Sequence, residues 1–120
     1  MAEVTIFHNP NCSTSKYAVG EAEAEGVEVD LVKYMLKAER PSREQLEELA
    51  DKLEDPVTDM VRRDANFAKL GLSDADVASR DQVIEVLLKN PELMQRPILV
   101  KGERAIIGRP KDRVATFLQS

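Results

Sequence analysis

The sequence predicts an α/β domain in which helices pack on a mixed four-stranded sheet. Three observations predict this class. Near the amino terminus, two apolar or alternating runs flank an Ala-rich stretch, which gives the order β-α-β. Near the carboxyl terminus, two apolar runs and an amphipathic stretch give the order β-β-α. Between these units, two capping-box patterns predict an inserted helical segment.

The first unit contains a short buried strand, a helix and a half-buried strand. Val4–Phe7 is an apolar run of strand length, and a helix is expected from Ser13 to about Glu25, where Gly26 ends it. In Val27–Val32, apolar residues alternate with acidic ones, which is the period of a strand with one buried face. A β-α-β crossover of this kind is right-handed and joins parallel strands.

The middle of the chain is predicted to be helical. Ser42 with Gln45, and Ser79 with Gln82, have the spacing of two capping boxes, and Asp55–Pro56 is suited to opening a short helix between them. The apolar residues that follow the two boxes at helical spacing are Leu46, Leu49, Ala50 and Leu53, and then Ile84, Leu87 and Leu88.

The last unit contains two strands and a helix. Pro97–Val100 and Ala105–Ile107 are apolar runs joined at Gly102–Glu103, where glycine suits the first central position of a type II′ turn. Pro110 is expected to begin a final helix whose apolar residues are Val114, Phe117 and Leu118. The complete order, β-α-β, a helical insertion and β-β-α, is that of the thioredoxin-like fold.

Length and composition exclude several classes of protein. The 120 residues, 42% of them hydrophobic, fit one domain covering residues 1–120. The formal net charge of −5 disfavours a nucleic-acid or membrane-surface binder. No apolar run reaches the roughly 18 residues of a membrane span and no secretory signal is visible, so a soluble cytoplasmic protein is expected. One Cys and one His provide too few ligands for a typical zinc site, and no bound cofactor is expected.

Cys12, the only cysteine, lies between the first strand and the first helix. A helix N-terminus lowers the pKa of a thiol, because its unpaired N–H groups favour the thiolate. The N–H groups of about Ser13 to Ser15 are also expected to face a bound anion. The alternative is that Cys12 is a small buried hydrophobic residue, but its neighbours are polar and typical of a turn. The sequence therefore favours a nucleophilic thiol.

Two nearby side chains have more than one interpretation. The Ser15 hydroxyl either donates a hydrogen bond to the thiolate or only caps the first helical turn. His8 either stabilises the thiolate as a cation or orients the loop through a hydrogen bond.

Four segments together resemble the glutaredoxin-coupled arsenate reductases of the thioredoxin-like superfamily: HNPNCSTSK, VRRDANFAKLGL, QRPILV and IIGRPKD. The resemblance covers about Val4 to Phe117. It implies that Cys12 is the catalytic cysteine and that His8 and Ser15 support its ionisation. It further implies that Arg62, Arg96 and Arg109 hold the oxyanion and that Pro97 is a cis-proline.

The arginine side chain is well suited to such a site. Its planar fork binds two oxyanion oxygens at once and stays charged in every environment. Arg63 is expected to point away from Arg62 and to pair with Asp64. Lys16 departs from the family pattern, which usually has Arg there; lysine keeps the charge but loses the bidentate geometry.

The resemblance implies a monomeric enzyme of arsenical resistance that reduces arsenate to arsenite. Because one cysteine cannot form an intramolecular disulfide, glutathione or a similar small thiol is expected as co-substrate, with a glutaredoxin-type reductant completing the cycle. Two alternatives remain. A thioredoxin-like redox-sensing regulator commonly carries CxxC, whereas here position 15 is Ser15. A general glutathione-dependent thiol reductase would use Cys12 without the arginines.

Overall fold

The computed structural model describes residues 3–36, 39–109 and 111–119. Its four strands are β1 (Val4–Phe7), β2 (Val29–Val32), β3 (Ile98–Lys101) and β4 (Arg104–Ile107). They form one sheet in the order β2-β1-β3-β4, with β1 parallel to β2 and antiparallel to β3, and with β3 antiparallel to β4. The predicted mixed four-stranded sheet is therefore confirmed.

Within the described residues there are five α-helices: α1 (Ser13–Ala24), α2 (Arg43–Lys52), α3 (Ala65–Lys69), α4 (Arg80–Lys89) and α5 (Arg113–Gln119). Short 3-10 turns at Val57–Met60, Asp74–Val77 and Pro91–Leu93 complete the insertion. Both predicted capping boxes are present, at the start of α2 and of α4. Pro110, the predicted start of the last helix, lies outside the described residues, and α5 begins at Arg113.

The second strand begins at Val29, later than the predicted Val27, because the N–H of Val27 is used to cap the end of α1. Gly26 has φ +73°, a conformation that glycine adopts easily, and its N–H binds the carbonyl of Glu23. The Val27 N–H then binds the Ala22 carbonyl, which closes the helix end before β2 begins at Val29.

Both faces of the sheet are covered, because side chains alternate along each strand. In β1, Val4 and Ile6 pack with α1 and α5, whereas Phe7 packs against the insertion. In β3, Leu99 and Ile98 divide between the same two layers. The accessible part of the sheet is thus its edges and ends, and the carboxyl end of β1 leads into the loop that carries the cysteine.

Two local features follow from the strand pairing. Lys101 pairs with Arg104, so β3 and β4 are joined by a two-residue turn. Gly102 has φ +61°, and the described non-glycine residues include none with positive φ, which is the pattern of the predicted type II′ turn. On the outer side of β4, Leu53 forms a parallel bridge with Ala105, so the insertion covers this edge strand.

In the described ranges, no helix is long and apolar enough to cross a membrane.

Candidate active site around Cys12

Cys12 is the N-cap residue of α1, at the end of the loop that follows β1. Its backbone is extended, with φ −106° and ψ 122°, and its N–H donates to the Asn9 carbonyl at 3.0 Å. The Asn9 side chain in turn accepts from the N–H of Asn11 at 2.9 Å. The thiol is half-buried in this polar turn, which is not the setting of an inert core cysteine.

The pKa of the Cys12 thiol is lowered from its ordinary value. Burial raises the pKa, but the N–H groups of Ser15 and Thr14, the Arg96 side chain and the charge of Arg109 together outweigh it. The predicted contribution of the helix N-terminus is thus present, and it comes from backbone donors. The structure therefore favours the thiolate, which is the nucleophilic form.

Arg109 and Arg96 lie closest to the thiol among the predicted arginines. Arg109 Nη2 is 3.3 Å from the sulfur, and Arg109 Nε donates to the Arg96 carbonyl at 2.7 Å. The Arg96–Pro97 peptide bond is cis, as the family resemblance implies. Arg96 Nε is buried and is the one such side-chain nitrogen or oxygen without a hydrogen-bond partner among the described residues. An unsatisfied guanidinium donor beside a thiolate is suited to an oxyanion oxygen.

Arg62 lies at the edge of this site and pairs with Asp64 at 3.3 Å. The prediction that Arg63 pairs with Asp64 is therefore wrong. The backbone is extended at Val61, so residues two apart share a face and Asp64 falls on the side of Arg62. Arg63 points the other way and binds Asp74 at 3.2 Å and the Thr58 carbonyl at 2.6 Å.

His8 and Ser15 hold the loop against the start of α1. His8 Nδ1 is 2.7 Å from the Ser15 hydroxyl, which also accepts from the Asn9 N–H at 3.0 Å. Burial, followed by the charges of Lys33 and Lys16, lowers the pKa of His8. The hydrogen bond to Ser15 is the contact that the second interpretation of His8 requires, and a lowered pKa disfavours the cation that the first requires. The Ser15 hydroxyl faces His8 and Asn9, while the Ser15 backbone N–H is the group that favours the thiolate.

Tyr34 is a site residue that the sequence prediction missed. Its side chain is fully buried, and its hydroxyl donates to the Met94 carbonyl at 3.2 Å. Burial raises the pKa of Tyr34, the nearby Cys12 raises it further, and Arg96 and Arg62 oppose this effect. The phenol thus lies among both arginines and the thiol. Its position two residues after β2, a strand parallel to β1, is the sequence signal that could have identified it.

The described part of the chain contains no group of three or more His, Cys, Asp or Glu side chains suited to a metal ion. The site is thus built from one thiol, backbone N–H groups, guanidinium groups and a phenol.

Comparisons with known proteins match nearly the whole chain. A family model described as the ArsC family matches residues 7–117. An arsenate reductase of Neisseria meningitidis serogroup A is 31% identical, over 98% of this chain and all of the relative. The solved structure of an arsenate reductase from Vibrio cholerae has a TM-score of 0.82 and 32% identity, covering 96% of this chain and 97% of that one. The uncharacterized protein YfgD of Escherichia coli K12 is 33% identical over 93% of each chain.

Proposed function

The chain belongs to the ArsC family, and from this premise we propose that it is an arsenate reductase with Cys12 as its nucleophile. The observation that carries the proposal is the arrangement at the sulfur. Two N–H groups from the start of α1 and the side chains of Arg96 and Arg109 all favour the Cys12 thiolate. The N–H groups alone are enough to activate a thiol, and the two guanidinium groups in addition suit an anionic substrate.

The first step is attack of the thiolate on arsenate. At neutral pH arsenate is a tetrahedral oxyanion with one or two negative charges, so the nucleophile approaches a group of like charge. Arg96 and Arg109 compensate this repulsion, and the guanidinium fork fits two oxygens of one oxyanion. A sulfur–arsenic bond forms, an arsenic–oxygen bond breaks, and the oxygen leaves as water after taking up protons.

The second step needs sulfur from outside the chain, since Cys12 is the only cysteine. A glutathione thiol replaces a further arsenic oxygen, which leaves as water. A glutaredoxin thiol then attacks the glutathione sulfur and forms a mixed disulfide, while arsenic takes the electron pair and is reduced from As(V) to As(III). Water then releases arsenite and restores the Cys12 thiol. The sum is arsenate plus two thiols giving arsenite, one disulfide and water.

The test is arsenate-dependent NADPH consumption in the presence of glutathione, glutathione reductase and glutaredoxin. We expect NADPH oxidation that matches arsenite release, and its loss in the Cys12→Ser variant. A parallel assay offers a glutathionylated peptide without arsenate. Turnover of that peptide together with no arsenate turnover would contradict the proposal and identify a general thiol reductase. A reactive thiol with neither activity would favour the redox-sensing regulator.

A further inference from the structure

An ion pair contacts the backbone of the segment that carries Arg109. Arg113, the first residue of α5, binds the Asp55 carboxylate at 2.9 Å. The same Arg113 Nη1 donates to the carbonyls of Ile107 and Arg109, at 3.0 and 3.3 Å. One guanidinium nitrogen therefore contacts both ends of the Ile107–Arg109 turn, which leads from β4 to the site.

Asp55 also holds this turn from the insertion. The Glu54 N–H donates to the Ala105 carbonyl at 2.8 Å, in line with the bridge between Leu53 and Ala105. At the next position, the Asp55 carboxylate accepts the N–H of Ile107 at 2.9 Å. The carboxylate thus extends the ladder along β4 by one hydrogen bond and binds Arg113 with its other oxygen.

We propose that Asp55 and Arg113 are positioning residues that fix the Ile107–Arg109 turn and thereby hold the Arg109 guanidinium at the Cys12 sulfur. The path consists of direct contacts. Asp55 and Arg113 bind the turn's backbone, and the side chain of Arg109 leaves this turn to reach the Arg96 carbonyl and the sulfur. This inference rests on the proposed function only where arsenate turnover is measured.

The surroundings of the pair favour a fixed geometry. The Asp55 side chain is 17% exposed and that of Arg113 is 33% exposed. Solvent and salt screen such a pair less than a fully exposed one. Gly108 adds a second constraint, because a Cβ built there would lie 2.8 Å from the Pro97 ring. The turn packs tightly on the segment that carries Arg96, so a displaced turn would move Arg109 relative to the sulfur.

The test compares two variants with a matched control. Asp55→Asn keeps the shape of the side chain and removes its charge, whereas Arg113→Met removes every donor and keeps an apolar stem. The control is Glu54→Gln, which weakens the neighbouring Glu54–Arg104 pair. Glu54 binds the Ala105 carbonyl through its backbone N–H, and its side chain pairs with Arg104 at the surface, so it is an ion-pair partner of similar type next to Asp55 in the chain.

Alkylation of Cys12 by iodoacetamide as a function of pH is the first readout. We expect the midpoint to move upward in Asp55→Asn and in Arg113→Met, and to stay at the wild-type value in Glu54→Gln. The second readout is arsenate kinetics, where we expect a rise in KM and about a 10-fold loss of kcat/KM, since misplacing a reacting group by 1 Å costs up to about 100-fold. Alkylation needs no arsenate, so it tests the positioning role even if the proposed function fails.

Coupling to Arg109 separates positioning from general destabilisation. In an Arg109→Ala background, Asp55→Asn should cause no further change in the alkylation midpoint, because the group it positions is gone. Urea unfolding of each variant reports its stability independently. A wild-type midpoint in both single variants, or an undiminished effect of Asp55→Asn in the Arg109→Ala background, would overturn the inference and leave the pair a purely structural role.

Discussion

Replacing Arg109 by lysine tests whether guanidinium geometry, rather than charge alone, is needed at the thiol. Arg109 uses Nε for the Arg96 carbonyl at 2.7 Å and Nη2 for the Cys12 sulfur at 3.3 Å. Lysine has one nitrogen, so it cannot keep both contacts in the same geometry. The charge is retained while the anchoring of that charge is lost.

The expected magnitude follows from the lost contact. A hydrogen bond to a charged group contributes about 1.5–3 kcal/mol, and about 1.4 kcal/mol corresponds to a 10-fold change in rate. We therefore expect Arg109→Lys to lower kcat/KM for arsenate by about 10- to 100-fold. We also expect the alkylation midpoint of Cys12 to rise, because a lysine charge that is no longer anchored at the sulfur lowers the thiol pKa less than the charge of Arg109 does.

The matched control is Arg63→Lys, since Arg63 is also partly exposed but binds Asp74 and the Thr58 carbonyl away from the thiol. The glutaredoxin-coupled assay and the alkylation profile are run on both variants. We expect Arg63→Lys to stay within about 2-fold of wild type, as is usual for a surface substitution. Wild-type kinetics in Arg109→Lys, or an equal loss in both variants, would refute the reasoning.

Tyr34→Phe removes the hydrogen bond that the buried hydroxyl donates to the Met94 carbonyl, so urea unfolding should find the free energy of unfolding lowered by about 1 kcal/mol, whereas Tyr17→Phe, at the surface, should match wild type. Because the folded pKa of His8 is lowered, the unfolded chain binds more protons, so the free energy of unfolding should fall as pH drops below about 6.5. Urea unfolding at two pH values should show a smaller fall of the free energy of unfolding in His8→Gln than in wild type. The same pH dependence in both proteins would contradict this role of His8. The alkylation midpoint of Cys12 should lie below the roughly 8.5 of a free thiol. Reduced protein given arsenate alone should stop at a Cys12–arsenic adduct, observed by intact mass spectrometry; catalytic arsenite release without added thiol would exclude the scheme.

The elements with local signals could be predicted from the sequence. Strand β1 has the predicted bounds, and both capping boxes form as their spacing indicates. The position of Cys12 at the start of α1 also followed from local pattern, since an apolar run, a polar turn and an Ala-rich helix are consecutive in the chain. Such features depend on neighbouring residues and need no tertiary contact.

The features that were missed depend on which segments meet in space. Tyr34, just after β2, enters the site because its hydroxyl meets the carbonyl of Met94, a residue 60 positions later in the chain. The Arg63 prediction failed because the backbone around Val61 becomes extended when it bridges Met94 in place of continuing as a helix. The Asp55–Arg113 pair likewise joins the insertion to the last helix. For the Arg63 contacts and the Asp55–Arg113 pair, residue types and spacing carry no direct signal, and for Tyr34 the only signal is its position just after β2.

In the proposed reaction the arginines have two tasks. They favour the thiolate before the attack, and they hold the oxyanion after it. Before attack the thiolate charge is on sulfur, and after the sulfur–arsenic bond forms the remaining charge lies on the oxygens bound to arsenic. Arg109 lies next to both places, because its Nε is held by the Arg96 carbonyl and its Nη2 is 3.3 Å from the sulfur that arsenic would join. Arg96 Nε is buried and has no hydrogen-bond partner among the described residues, so an acceptor oxygen beside it would be stabilising. In the proposed reaction, one pair of guanidinium groups therefore serves both to favour the thiolate and to hold the adduct.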